Sequence, residues 1–211
     1  MIWLTMALAA PLTHDAAAWT SLNLAAPLHN GRDAGPRLWL DVHGRRTDAS
    51  FLAIVRPGLG YDLTRGVAVF AGYAWVPSIG AATDDELVQE HRVWEQALLQ
   101  RSVETVKVAF RPRLEQRFLT GEVGHRLRLW GRVEVPLGEP VSLVVTDEVF
   151  LGFNDTDWGA VAGFDQNRLF VGPALPIEGV GRVEFGYMNT LLHRDDDTDL
   201  HIVSANLFVN L

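Results

Sequence analysis

The segment Arg126–Leu137 sorts its residues strictly by parity. Leu127, Leu129, Gly131, Val133, Val135 and Leu137 form one face, and Arg126, Arg128, Trp130, Arg132, Glu134 and Pro136 form the other. An amphipathic helix repeats its apolar residues every three or four positions, whereas a half-buried strand alternates at every second one. The preceding segment has the same order, with Val108, Phe110, Pro112, Leu114 and Phe118 set against Lys107, Arg111, Arg113, Glu115 and Arg117. These are strands. Similar runs cover the chain at Ala18–Ala26, Arg37–Arg46, Phe51–Leu63, Val67–Pro77, His91–Arg101, Val106–Leu119, Arg126–Leu137, Val141–Phe153, Asn167–Ile177, Arg182–Leu192 and His201–Leu211. Several exceed the five or six residues usual in soluble strands, and about 9–11 tilted residues suffice to cross a membrane.

The connections differ in kind. Asp62–Gly66, Leu137–Pro140 and Pro176–Gly179 are short and carry Gly or Pro turn chemistry. Ser78–Glu90, Thr120–Gly124, Asn154–Gln166 and Arg194–Leu200 are longer and polar. Counting back from the C-terminus puts the short turns on one side and the long loops on the other, the plan of an outer-membrane barrel. The fold expected is therefore all-β, an antiparallel up-and-down transmembrane β-barrel. Single-chain bacterial barrels take even strand numbers, so the eleven runs imply 10 to 12 strands, with twelve preferred.

Both soluble and membrane barrels alternate, so polarity must choose between them. A membrane barrel turns its polar face inward and its apolar face to lipid. Arg-rich faces on successive strands suit an interior ladder of Arg–carboxylate pairs. Tyr73, Trp75, Phe118, Phe153 and Tyr187 lie near strand ends, where interfacial aromatics belong. The last strand also alternates, with Val203, Ala205, Leu207, Val209 and Leu211 on one face, although Leu211 departs from the aromatic terminus usual in such proteins. A soluble periplasmic ligand-binding barrel is the alternative architecture.

At 211 residues the chain fits one domain. Ile2–Ala10 is the length of a signal-peptide core and small residues follow it, but the basic flank is missing. Residues 1–18 are expected to be a signal peptide, cleaved after Ala10 or Ala18, with 19–211 forming the barrel; an apolar first strand is the alternative. Cysteine is absent, which excludes disulfides and thiolate metal sites. A net charge of −8 argues against nucleic acid as a partner. No nucleotide-binding Gly loop, metal-ligand His pair or haem signature occurs, so no cofactor and no metal are expected.

Several stretches carry a family resemblance: Gly72-Tyr73-Ala74-Trp75, Arg92–Gln96, Arg113–Phe118, Asp147–Phe150, Asn154–Gly159 and Gly163–Arg168. Together they resemble the bacterial family catalogued as domain of unknown function 2490, from about Trp19 to Leu211. The resemblance implies an outer-membrane barrel without an assigned activity. Its implied partners are outer-membrane lipid and, during biogenesis, the barrel-assembly machinery.

Four constellations are candidates for chemistry. The first is a lumen charge ladder of Arg111, Arg113, Glu115, Arg117, Arg126, Arg128, Arg132, Glu134, Glu148 and Arg168, continued by Arg182 and Glu184. It reads either as an anion-selective constriction or as a salt-bridged plug in a narrow barrel, and the plug is preferred. The second is the loop Asn154, Asp155, Asp157 and Asp165, which would either fold inward as a cap, pairing a carboxylate with an Arg such as Arg168, or hold a hard cation. The third is an acidic rim at Asp84, Asp85, Glu86 and Glu90 with Asp195, Asp196, Asp197 and Asp199, read as a solvated surface, with a divalent-cation bridge to anionic outer-leaflet lipid as the alternative. The fourth is lipid hydrolysis by Ser142 or Ser204, which needs a His base within reach, and no such partner is evident. Glu95 and Asp147 fall on the lipid-facing parity, which calls for a bulge or a rim position; Arg56 shares its face with Leu52 and Ile54.

Overall fold

The computed structural model describes residues 13–29, 33–80, 86–193 and 197–209. Eleven strands form one closed barrel: β1 (Thr13–Pro27), β2 (Gly35–Thr47), β3 (Ser50–Thr64), β4 (Val67–Gly80), β5 (Val88–Val103), β6 (Val106–Leu119), β7 (Glu122–Gly138), β8 (Val141–Gly152), β9 (Gly163–Ile177), β10 (Gly181–Leu192) and β11 (Thr198–Val209). All sequential neighbours pair antiparallel. An odd number of up-and-down strands leaves the first and last running the same way, so β1 closes on β11 in parallel, from Thr13↔Thr198 to Leu24↔Val209. The eleven strands of the described residues fall within the expected 10 to 12, and the parallel closure removes the need for the even number behind the preference for twelve. The leader expected over 1–18 lies outside the described residues as far as residue 12, and 13–18 are part of β1.

The ends of the barrel differ, with exceptions. One end carries the turns at 65–66, 104–105, 139–140 and 178–180; the other carries the connections at 81–87, 153–162 and 193–197. Thr120–Gly124, expected as a longer loop, is a two-residue turn at the second end, with Thr120 at φ 50° and Gly121 at φ 86°. That is the positive-φ pair that a tight hairpin needs. The connection at 28–34 is long but sits at the short-turn end.

Parity decides what faces where. The outer face presents Leu59, Val69, Val93, Leu114, Val145, Leu169 and Phe185, all exposed. Tyr73, Trp75, Phe118, Phe153 and Tyr187 are exposed on it as well. Glu95 and Asp147 also point outward, and neither lies at a bulge. Each meets an amide on the next strand, since Gln116 Nε2 donates to Glu95 at 3.4 Å and Asn167 Nδ2 donates to Asp147 at 2.7 Å.

The interior has an apolar sector and a charged sector. Along β3–β5, Ile54, Ala68, Phe70, Ala74, Val76, Trp94 and Leu98 form a buried cluster with Trp39 and Leu52 against it. Trp94 fits because its lateral neighbours are glycines: the register runs Trp39↔Gly58↔Gly72↔Trp94. A Cβ at Gly58 or Gly72 would come within 2.5 Å of the indole. The indole Nε1 donates to the Tyr73 carbonyl at 3.1 Å, so its polar atom is satisfied. Arg56 also points inward, to Asp41 on β2 at 3.1 Å. Its neighbours Leu52 and Ile54 belong to the inner cluster, which resolves the ambiguity of that strand.

Candidate functional site: the charged interior and its cavity

Strands β5–β9 bring Arg113, Glu115, Arg117, Arg126, Arg128 and Glu148 together in the half of the barrel nearer the long loops, while Arg132 and Glu134 lie towards the short-turn end. Glu115 on β6 is at the centre and is fully buried. It accepts from Arg126 Nη2 at 2.6 Å and Arg128 Nη1 at 2.7 Å, and Arg92 and Arg113 lie 3.7 Å from it. Arg113 donates to Gln96 Oε1 at 2.6 and 2.8 Å and lies over the Trp94 ring. Arg128 also grips Glu148 through both carboxylate oxygens, at 2.8 and 3.0 Å, and Arg111 reaches the same carboxylate at 3.2 Å. Nearer the loops, Glu90 accepts paired bonds from Arg92 and from Arg117. These bidentate, charge-assisted contacts fix side-chain geometry as well as charge. Together with Phe150 and the Trp94 cluster they fill this half of the barrel.

The loop at 153–162 packs on the ends of β6 and β7. Asn154 accepts from the His125 amide and donates to the Val123 carbonyl. Asp155 accepts from the Ala162 amide at 2.8 Å, and the Asp157 amide donates to Glu122. Trp158 packs on Gly124, and the Arg117 guanidinium lies 4.7 Å from its ring centroid. The four loop candidates do not converge: Asp155 and Asp157 serve the turn, while Asp165 is buried inside the barrel and accepts from Arg126 at 3.3 Å. Asp165 turns inward because β9 carries an extra residue where Phe150 pairs with Gln166 and Leu151 with Phe164. A bulge re-aims a side chain in this way. Arg168, the partner expected for this loop, bonds Gln166 instead.

A cavity of about 830 Å³ occupies the opposite half, from mid-barrel towards the short-turn end. Eleven Arg and Lys side chains line it against four carboxylates, Asp41, Glu134, Glu148 and Glu184. The surplus is notable in a chain of net charge −8. Near the mouth, Arg132 binds Glu184 at 2.7 and 3.0 Å and Glu134 at 2.9 Å, while Arg182 and Lys107 reach Glu134 at 3.2 and 3.0 Å. At the inner end, Trp19 is flanked by Arg45 and Arg168, whose guanidinium carbons lie 4.1 and 4.9 Å from its ring centroid. Neither has a carboxylate within ion-pair distance among the described residues. Phe170 and Met188 give the same cavity an apolar wall.

Sequence reasoning missed one cluster. His14, Asp199 and His201 lie on the outer face, with ligand atoms all within 4.8 Å of one another. Parallel closure sets His14 beside Asp199, and Tyr187 hydroxyl bonds His201 Nδ1 at 2.6 Å while Asn189 bonds Asp199. The outward hydrogen bond on one ring nitrogen leaves His201 Nε2 towards the group, an arrangement able to hold a divalent cation. No signal in the sequence joins residues 187 positions apart across a seam whose existence depends on the strand count. Among the described residues neither Ser142 nor Ser204 is hydrogen-bonded to a histidine; Ser204 is buried and accepts from Asn206.

Comparison with known proteins adds no activity. An uncharacterized protein of Methylorubrum extorquens is 39% identical over 163 residues, covering 74% of this chain and 71% of its own. No solved structure matches. The family model described as protein of unknown function (DUF2490) matches residues 16–201, and the chain belongs to that family.

Proposed function

We propose that this protein is an outer-membrane β-barrel whose interior is closed to free passage and whose short-turn half holds a small solute. The observation that carries the reading is the inversion of polarity. Leu59, Val69, Leu114, Phe110 and Phe185 stand exposed around the outside, while Arg113, Glu115, Arg128 and Glu148 are buried within. A barrel in water would place these sets the other way round, because contiguous exposed apolar surface beyond a few hundred Å² is rare on soluble monomers. The order of the faces matches that of a lipid-embedded wall. Burial of the Glu115 network across one half supports closure, and the cavity lies within the range of about 300–1,000 Å³ typical of ligand sites.

Fractionation of cells expressing the full chain tests the location. The folded protein should partition with the outer membrane, need detergent for extraction, and migrate faster on a denaturing gel unless heated. Recovery from the soluble periplasm without detergent would refute the proposal. Closure has its own readout, since the purified protein in planar bilayers should give no steady single-channel conductance. A stable open channel would overturn the closed interior and leave the membrane location standing.

A further inference from the structure

We infer that the inner end of the cavity is a binding site for an organic oxyanion, a carboxylate or phosphate head on an apolar body, received between Arg45 and Arg168 beside Trp19. This deepens the binding half of the proposal above and does not depend on the membrane placement. The interior guanidiniums differ in how their charge is met. Arg92, Arg111, Arg126, Arg128 and Arg132 each hold a carboxylate, and so does Arg56, through Asp41. Arg45 makes no hydrogen bond or ion pair among the described residues; its contact is with the Trp19 face at 4.1 Å. Among the described residues Arg168 has a single hydrogen bond, to the neutral Gln166 Oε1 at 3.0 Å, and it stacks on Trp19 and Phe150. The Nε atoms of both are buried with no acceptor.

A buried donor without an acceptor is costly, the more so when it is charged. Two such guanidiniums on one ring, facing a cavity, form a site shaped for an external acceptor. The planar fork of Arg suits the two oxygens of a carboxylate or phosphate. The cationic lining raises the local concentration of anions entering from the short-turn end. Phe170 and Met188 on the same wall offer nothing to a bare ion but can cover an apolar body. Trp19, in contact with both guanidiniums, should report occupancy through its fluorescence.

The experiment uses the full-length protein in a non-ionic detergent, titrated with hexanoate, hexyl phosphate and inorganic phosphate while Trp fluorescence is read, with calorimetry as a second measure. At least one hexyl probe should bind saturably and at least about tenfold more tightly than inorganic phosphate; the tighter of the two identifies the head group. In the R45M/R168M double variant that affinity should fall at least about tenfold, whereas R46M, an exposed position on the same strand, should keep it. A W19F variant should lose most of the fluorescence change while the calorimetric binding persists. The inference is overturned if neither hexyl probe binds, if inorganic phosphate binds as tightly as both, or if a correctly folded R45M/R168M variant, judged by gel mobility, binds unchanged.

Discussion

Glu115→Gln probes the centre of the interior network. In the folded barrel this carboxylate accepts bonds at 2.6 and 2.7 Å from Arg126 and Arg128, and two further guanidiniums lie 3.7 Å away. Glutamine keeps one carbonyl acceptor but loses the charge, and its amide donors face guanidiniums that only donate. Hydrogen bonds to charged groups are worth about 1.5–3 kcal/mol each, and breaking a buried ion pair from one side costs about 3–5 kcal/mol. Arg128 retains Glu148 and Arg126 retains Asp165, so the expected loss is about 3–5 kcal/mol rather than the sum over all four cations. Urea titration of the protein refolded into phospholipid vesicles, followed by Trp fluorescence, measures it. A second variant separates loss of charge balance from general disruption: Arg113 has Glu115 as its one carboxylate within ion-pair distance among the described residues, so adding R113M to E115Q removes a stranded cation and should recover part of the deficit, a coupling that double-mutant analysis isolates. E95Q, on the outer face, should not lower stability. An E115Q protein within about 1 kcal/mol of the parent would refute the account of the network as the closure of the barrel.

Leu114→Arg places a cation on the outward face and should cost about 2–4 kcal/mol in vesicles if it lies near the bilayer midplane; an unaltered urea midpoint would argue that no lipid covers this face. Gly72→Val forces a side chain against the Trp94 ring and should destabilise by about 1–3 kcal/mol through overpacking, read by the same titration. Trp158→Ala removes the ring packed on Gly124 and over Arg117, so the 153–162 loop should be cut faster by added protease while the heated and unheated gel bands stay separate. Mass spectrometry of the exported protein should find cleavage after Ala10 rather than Ala18, because the later cut would delete the residues that pair Thr13–Ala18 with Thr198–Val203.

Most of the wall was legible because alternation is a local property. Val106–Leu119 coincides with β6, and most other strands extend the expected spans by a few residues. β1 begins earlier than expected because Thr13–Ala18 has no alternation of its own and takes its strand conformation from pairing with β11. Closure was not legible: the sequence supplies eleven runs, and only the register shows that the first and last can pair in parallel. The inward set of the charge ladder followed from parity. Which cation meets which carboxylate did not, because Glu115 draws in Arg92 and Arg126 from two different neighbouring strands and Asp165 enters through a bulge that leaves no mark in the residue pattern.

The division of the interior bears on why the charges are there. Filling a narrow barrel does not require ions, since the β3–β5 sector does it with Ile54, Phe70, Val76 and Trp94, and a buried ion pair is often no more stabilising than apolar residues of similar volume. In the filled half each central carboxylate is met by two or more guanidiniums and each of those has a carboxylate or Gln96 to hold, so charge is matched there even though single donors such as Arg126 Nε and Arg113 Nη1 lack an acceptor. The cavity half is not matched: its cations outnumber its carboxylates, and Arg45 and Arg168 lie against Trp19 with buried Nε atoms unmatched. Packing would favour an aliphatic residue at either position, and the buried Glu115 network already occupies the other half of the interior without them. A surplus of buried donors costs stability in the empty barrel, and an incoming oxyanion would remove that cost, so the imbalance favours an interior built to receive a ligand over one built only to be closed.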